Sequence, residues 1–391
     1  MKLENRRVIG PTRKLIWINI IFFAATALIP LIGGPFYIAH FGFSPALMAY
    51  TLFYVFATSM SITVGYHRLF SHVTFKANPV IEFLFLFFGA AAFQQSAMEW
   101  ASQHRDHHLY VDTEQDAYSI KKGFFYAHIG WLMFWKHTVH YENVNDLKKR
   151  PLVVHQFKHY YLWAIGSGIV FPTLLGALAG GLAGALGSFI FAVAARIAFV
   201  HHSTWCINSV CHMFGRATYD IDATAKDHWF VAFLTNGEGY HNFHHRFPGD
   251  YRNGVRWYQW DPSKWMIALL SKVKLASDLK RVSKFKILEA RLRADHTRVQ
   301  KWILQTGEHT RWERLRTDLE EGYKLLGQRL LVWERRSCDY RDLVCGRIRH
   351  QSRIIRFLAK RRMNLSRQRF QQGRREWEFL IKSNARLASF F

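Results

Sequence analysis

"LIWINIIFFAATALIPLIGGPFYIAHFGFSPALMAYTLFYVFATSMSITVGYH", residues 15–67, contains no Asp, Glu, Lys or Arg. A helix needs about 20 mostly apolar residues to cross a bilayer core about 30 Å thick. The run therefore suffices for two crossings, over 15–38 and 46–66, with "GGPF" and "FGFSP" as turn residues between them. A second charge-free run lies between Lys158 and Arg196. It reads as another hairpin, 161–179 and 183–201, broken at Gly180-Gly181, with Arg196 facing the protein or reaching toward the interface. An integral membrane protein is expected.

The rest of the 391-residue chain explains its composition. Half the residues are hydrophobic, 16% are aromatic, and the formal charge is +25. Greasy and basic stretches must therefore be segregated. From Arg281 to Phe391 there are 28 Lys and Arg against 12 Asp and Glu. Lys2, Arg6, Arg7, Arg13 and Lys14 precede the first span, and both hairpin turns lack Lys and Arg. The positive-inside rule then puts both termini, 68–158 and everything after Arg196 on the cytoplasmic side. A cleaved signal peptide is not expected, because the first apolar run is long and leads into a second. The four cysteines form no CxxC pair and should stay reduced there.

Three histidine clusters fall in the cytoplasmic segments: "HRLFSH" (His67, His72), "HRDHH" (His104, His107, His108) and "HNFHH" (His241, His244, His245). "NSVCH" adds Asn208 and His212 as a fourth candidate. The H-x-x-H-H spacing puts three imidazoles on one helical stripe. His67 and His72, five apart, lie about 140° off a common α-helical face, so that pair is expected to straddle a helix end. Neutral imidazole is the commonest side-chain metal ligand. Nine such residues exceed the four of a closed zinc site, which implies two metals. His40, His128, His137, His140, His155, His159, His201, His202 and His228 are taken as structural or surface residues.

"HRLFSH", "HRDHH" and "EGYHNFHH" resemble the three histidine boxes of the membrane-bound fatty acyl desaturases, in their Δ9 acyl-CoA and acyl-lipid branch. "GFFYAHIGWLM", "HSTWCINSVCHMFG" and "FPGDYRNGVRWYQWDPSKW" extend the resemblance over residues 12–280, the last being closer to bacterial members. The resemblance implies a di-iron centre held by His67, His72, His104, His107, His108, His212, His241, His244 and His245, with Asn208 acting through water. Zinc has no redox chemistry, so iron suits the removal of hydrogen from unactivated methylenes with dioxygen as co-substrate. Asp106, Asp112, Asp116 and Glu238 are candidate partners fixing the imidazole tautomers. If the first two boxes share a metal pair, the apolar stretch 77–99 between them must start and end on one side. It is expected to be interfacial or re-entrant. The fold class is thus all-α, with four membrane helices in two hairpins and a cytoplasmic helical cap (100–158 and 202–280) holding a di-metal site.

The resemblance also points to Gln94, Trp100, Thr204 and Trp205 at the bend of an acyl tunnel, since a narrow apolar tunnel presents one carbon pair. Met48, Tyr50 and Tyr54 are candidates for its end. Ser102 and Gln103 stand where animal acyl-CoA members carry an Arg-Asp pair, and Asp116-Ala117-Tyr118 also departs from the family pattern. Lys121 and Lys122 are candidates for a CoA phosphate, and acyl-CoA stays slightly ahead of acyl-lipid. No G-x-G-x-x-G or HPGG signature occurs. No bound flavin or haem domain is expected, and an external acidic donor, a ferredoxin or a cytochrome b5-like protein, must supply electrons. Beyond Arg281 the seam Leu319, Tyr323, Leu326, Leu330, Trp333, extended upstream by Trp312 and Leu315, predicts basic helices separated by "QTGE" and "SCDY". Anionic lipid, a coiled-coil partner and nucleic acid compete as its partner, the first being favoured. A histidine-box hydroxylase and a metal-transport or metal-binding membrane protein remain the rival functions. Transport would demand ionisable residues along the spans.

Overall fold

Short start signals set where the helices begin. Ser44-Pro45, Asn78-Pro79, Ser96-x-x-Glu99 and Asp261-Pro262 each combine a side-chain acceptor with a good first-turn residue. The computed structural model describes residues 15–134, 141–305, 309–345 and 353–383. The basic segment 1–14, His137 and His140 lie outside them. Contacts divide the chain into two units, Met1–Ala217 with Ala223–Arg281, and Thr218–Asp222 with Val282–Phe391.

In the first unit, α1 (Trp17–Phe41) and α2 (Pro45–Ser71) are both long and apolar enough to cross a membrane. Gly42, at φ 80°, ends α1 in a conformation L side chains avoid. Ser44 Oγ accepts from Leu47 N at 3.2 Å to start α2. Next comes α3 (Pro79–Ala90), started by Asn78 Oδ1, which accepts from Val80 N. Its 12 residues rise about 18 Å, well short of a crossing. A turn with positive φ at Phe93 and Gln95 then leads into α4 (Ala97–Tyr110), which opens with a Ser96–Glu99 capping box. Helix α5 (Pro151–Lys158) follows.

The third apolar stretch, Tyr160–Met213, is 54 residues long where two separate helices were expected. Straight, it would run about 80 Å. It does not, because Gly180 (φ −149°, ψ 25°) and Gly181 (φ 58°, ψ −141°) leave helical geometry. Around them Gly176 packs against the Gly184 carbonyl and Ser188 Oγ so closely that a Cβ would collide. Residues eight apart on a continuous helix are about 12 Å apart. The chain has therefore folded back, into arms α6 (160–179) and α7 (182–213). Arg196 on α7 faces the protein, donating to Gly168 O at 2.7 Å and Thr58 Oγ1 at 3.2 Å over the Tyr54 ring.

Among the shorter helices of the unit are α8 (His241–Arg246) and α9 (Pro262–Lys272). Asp261 Oδ1 accepts from Lys264 N at 3.0 Å to start α9. Lys76–Ala77 pairs antiparallel with Ala276–Ser277, tying the exit of α2 to the exit of α9. Trp17, Ile18, Leu31, Phe36, Leu178 and Leu182 stay exposed. That is an apolar exterior of the kind lipid covers.

The second unit has its own core. Helices α10 (Lys284–Gln305), α11 (His309–Val344) and α12 (Arg353–Ser383) bury Phe285, Leu292, Leu319, Leu326, Trp333 and Trp377. From Leu315 to Trp333 the predicted seam turns inward, the Trp312 side chain lying outside the described residues, and Trp377 Nε1 donates to Leu319 O at 3.1 Å. The chain thus covers its own seam. "SCDY" does not separate helices: residues 337–340 lie inside α11. They contain neither Gly nor Pro, so nothing there ends the helix.

Close packing of α2 on α3 carries a testable consequence. A Cβ on Gly65 would sit 2.7 Å from Phe85 Cβ. Gly65→Leu should cost roughly 1–3 kcal/mol as an overpacking change, read as a lower Tm of the detergent-purified protein.

Candidate metal centre

His67 lies on an unusual helix. Residues 61–71 bond i→i+5, a π winding that is rare and gathers at functional sites. His72 caps it, donating from its backbone N to His67 O at 3.1 Å. The pair thus straddles a helix end. The π winding also sets residues five apart on adjacent turns, and the two rings come within 4.9 Å of each other.

Three further elements converge on this pair. Helix α4 presents His104, His107 and His108, α7 presents His212 near its end, and α8 presents His241, His244 and His245. The nine fall into two groups, His67, His72, His104, His108 and His244, and His107, His212, His241 and His245. Within each group the candidate ligand nitrogens all lie within 4.8 Å of one another. His67 Nε2 is 3.0 Å from His244 Nε2, His108 Nε2 is 2.9 Å from His244 Nε2, and His72 Nε2 is 2.8 Å from His104 Nε2. In the second group His241 Nε2 is 3.0 Å from both His212 Nε2 and His245 Nε2. Ligands about 2.1 Å from one ion at right angles would be about 3.0 Å apart, so the spacing fits a shared ion. His107 Nε2 is buried without a hydrogen-bond partner among the described residues, as a nitrogen reserved for metal would be.

Carboxylates orient the opposite ring edges. His67 Nδ1 lies 2.7 Å from Glu238, and His107 Nδ1 lies 3.0 Å from Asp116. Glu238 accepts from Arg68 at 2.9 Å and from Asn253 at 2.7 Å, and Arg68 also meets Asp261. Asp112 acts at one remove, accepting at 2.6 Å from Thr224 Oγ1, which is 2.7 Å from His212 Nδ1. Asp106 instead accepts from Asn143 at 2.9 Å. Burial would raise the Glu238 and Asp116 carboxyls, but His67 with Arg68, and His107, outweigh it and hold both below the ordinary carboxylate range. Burial first, and neighbouring imidazoles second, hold His104, His108, His241, His244 and His245 well below their ordinary value. These rings are neutral at pH 7, the form that binds metal.

Beside the imidazoles lies a cavity of about 220 Å³. Gln94, Trp100, Thr204, Trp205 and Asn208 all line it, together with Gln103. Gln94 Nε2 donates to Thr204 Oγ1 at 3.1 Å, and Trp100 stacks on His104. Lys121 and Lys122 do not line it; their ammonium groups donate to the carbonyls of Asp112, and of Glu114 and Asp116. Met48, Tyr50 and Tyr54 also lie off its wall, with the Tyr50 and Tyr54 hydroxyls donating to Pro172 O and Ser167 O. Ser102 is buried against Asn143. His201, taken as structural, lines the cavity and stacks on Trp205. Phe22 and Phe23 of α1, Tyr118 and Thr224 were not anticipated. Tyr118 stacks on His107, and its place just after Asp116 was the one available signal.

A family model described as fatty acid desaturase matches residues 43–268. A probable acyl-CoA desaturase of Schizosaccharomyces pombe is 40% identical over 234 residues, 59% of this chain and 48% of that protein. Acyl-CoA desaturase 1 of Saccharomyces cerevisiae is 36% identical over 291 residues, 73% and 56%. Stearoyl-CoA desaturase of Sus scrofa is 34% identical over 291 residues, 71% and 79%. The matched region spans about half the length of the two yeast relatives.

Two outcomes follow from the site's electrostatics. Asp116→Asn leaves His107 Nδ1 without its carboxylate and should weaken metal retention about 10- to 100-fold, read as metal per protein after chelator dialysis. Histidines held below their ordinary value take up protons more readily when unfolded, so folding stability should fall as pH drops below about 6.5. Tm measured on the metal-free protein across pH 8 to 5, an interval of about three pH units around that value, checks the sign.

Proposed function

The chain belongs to the fatty acid desaturase family, and from that premise we propose that it is an O2-dependent fatty acyl desaturase placing a cis double bond, at Δ9, in a long-chain saturated acyl-CoA or acyl-lipid. The observation that carries this reading is the convergence of nine imidazoles in two groups beside a cavity walled by aromatic and amide side chains. We assign one iron to each group, with Asn208 on the cavity wall completing the set through water. Two bound irons would supply, from dioxygen, the oxidising power to remove hydrogen from unactivated methylenes. The balance is one O2, two substrate hydrogens, two external electrons and two protons, giving one C=C bond and two waters.

The chain's own residues position that chemistry. Glu238 and Asp116 hold His67 and His107 in one tautomer, with the distal nitrogens turned inward. The Gln94–Thr204 hydrogen bond and the Trp100 and Trp205 rings shape the wall that would present one carbon pair and keep water away. The fold-back at Gly180–Gly181 supports reading the long apolar stretch as two crossings, hence four in all. The shortness of α3 supports an interfacial placement. Lys and Arg near the spans favour a cytoplasmic site and termini. A strongly basic chain would attract an acidic electron donor.

Expression in cells lacking their own desaturase, with lipids resolved by gas chromatography, tests the reading. Monounsaturated chains should appear and should vanish with His244→Ala, while the variant still inserts in the membrane. Unchanged saturated chains, with iron loaded and a donor present, would overturn it, and hydroxylated chains would replace it with a hydroxylase.

A further inference from the structure

Helix α12 buries one face and, among the described residues, leaves the opposite one uncovered. Met363, Ser366, Phe370, Gly373 and Trp377 turn inward onto the core of the second unit. Ile354, Phe357, Leu358, Leu365 and Phe379 turn outward, and Ile354, Phe357 and Phe379 are 69%, 64% and 70% exposed. At 100° per residue these five fall within an arc of about 100°, roughly opposite the buried face. Exposed apolar residues are ordinary when scattered singly; here Ile354, Phe357, Leu358 and Leu365 cluster on the N-terminal half of α12. Gln368, Gln372, Arg375 and Glu376 separate Phe379 from them on the same face, so the candidate interaction surface is the N-terminal half.

The charges say what covers it. Residues 353–369 contain seven Lys and Arg and no Asp or Glu. Arg353 and Lys360 flank one edge of the stripe, Arg362 and Arg369 the other, and Arg361 lies within it. An apolar strip between two basic margins is the pattern of a helix lying in a bilayer interface, its side chains at the headgroup–acyl boundary. A second copy of the same face would set these cations against one another. A nucleic acid would engage the margins and leave the Ile, Phe and Leu side chains in water. We infer that the outer face of the N-terminal half of α12 lies on an acidic bilayer surface, the arginines at lipid phosphates and the apolar stripe beneath them. This docking rests on the chain being held at a membrane and is independent of the reaction proposed above.

Hydrogen exchange of the full chain in nanodiscs tests the docking. Discs of phosphatidylcholine alone are compared with discs holding about one third phosphatidylglycerol, whose headgroups attract basic segments. Amides of 353–365 should exchange at least about tenfold more slowly in the acidic discs. The triple variant Ile354→Ser, Phe357→Ser, Leu358→Ser should lose that difference while amides of 366–377 keep their protection, which shows that the unit remains folded. Equal exchange in both discs would overturn the inference. So would protection retained by the variant, or protection that arises only on adding RNA or only when two copies share a disc.

Discussion

Buried imidazole nitrogens about 3 Å apart point lone pairs at one another and are unfavourable unless protons or a shared cation lie between them. Here burial and mutual repulsion disfavour the proton, because five of the rings are held well below their ordinary value. A neutral ring still carries one N–H, but that serves one neighbour at a time, whereas a shared metal would satisfy the inward nitrogens of a whole group together. Much of the first unit can be read as a frame that keeps these rings converged.

That frame has two layers. Around the rings, Glu238, Asp116 and Thr224 take the far nitrogens of His67, His107 and His212. Around Glu238, Arg68 and Asp261 form a buried ion network in which Asp261 also caps α9 and accepts from the backbone of Asn253 and Gly254. One carboxylate thus joins helix initiation, loop shape and ligand orientation. Removing one member of a buried network leaves uncompensated charge, so the core tolerates little change there.

The apolar parts serve the same centre from the other side. The π winding of α2 and the capping box of α4 place their histidines against the cavity, and α1 and α7 close it with Phe22, Phe23 and Trp205. Glycines at α2, α3 and the α6–α7 turn let helix backbones approach closely, the usual means of helix association where no water drives it. Membership of the desaturase family, the apolar helices and the histidine groups therefore point to one architecture, a lipid-embedded frame around a polar, metal-binding centre.

Spacing and composition alone determined a good deal. Charge-free runs revealed the apolar helices, H-x-x-H-H revealed two ligand stripes, and a 4-3-4-3 apolar step revealed the seam of the second unit. Each is a local period, set by residues that share one helix face. Tertiary structure decided what depends on residues far apart. The π winding that joins His67 to His72 depends on packing around 61–71 as well as on propensity. The division of nine histidines into five and four mixes residues from four helices. Thr224, 2.7 Å from His212 Nδ1, also donates to Asp112, 112 positions earlier. "SCDY" stays helical because α11 is long and packed, which no four-residue window reports.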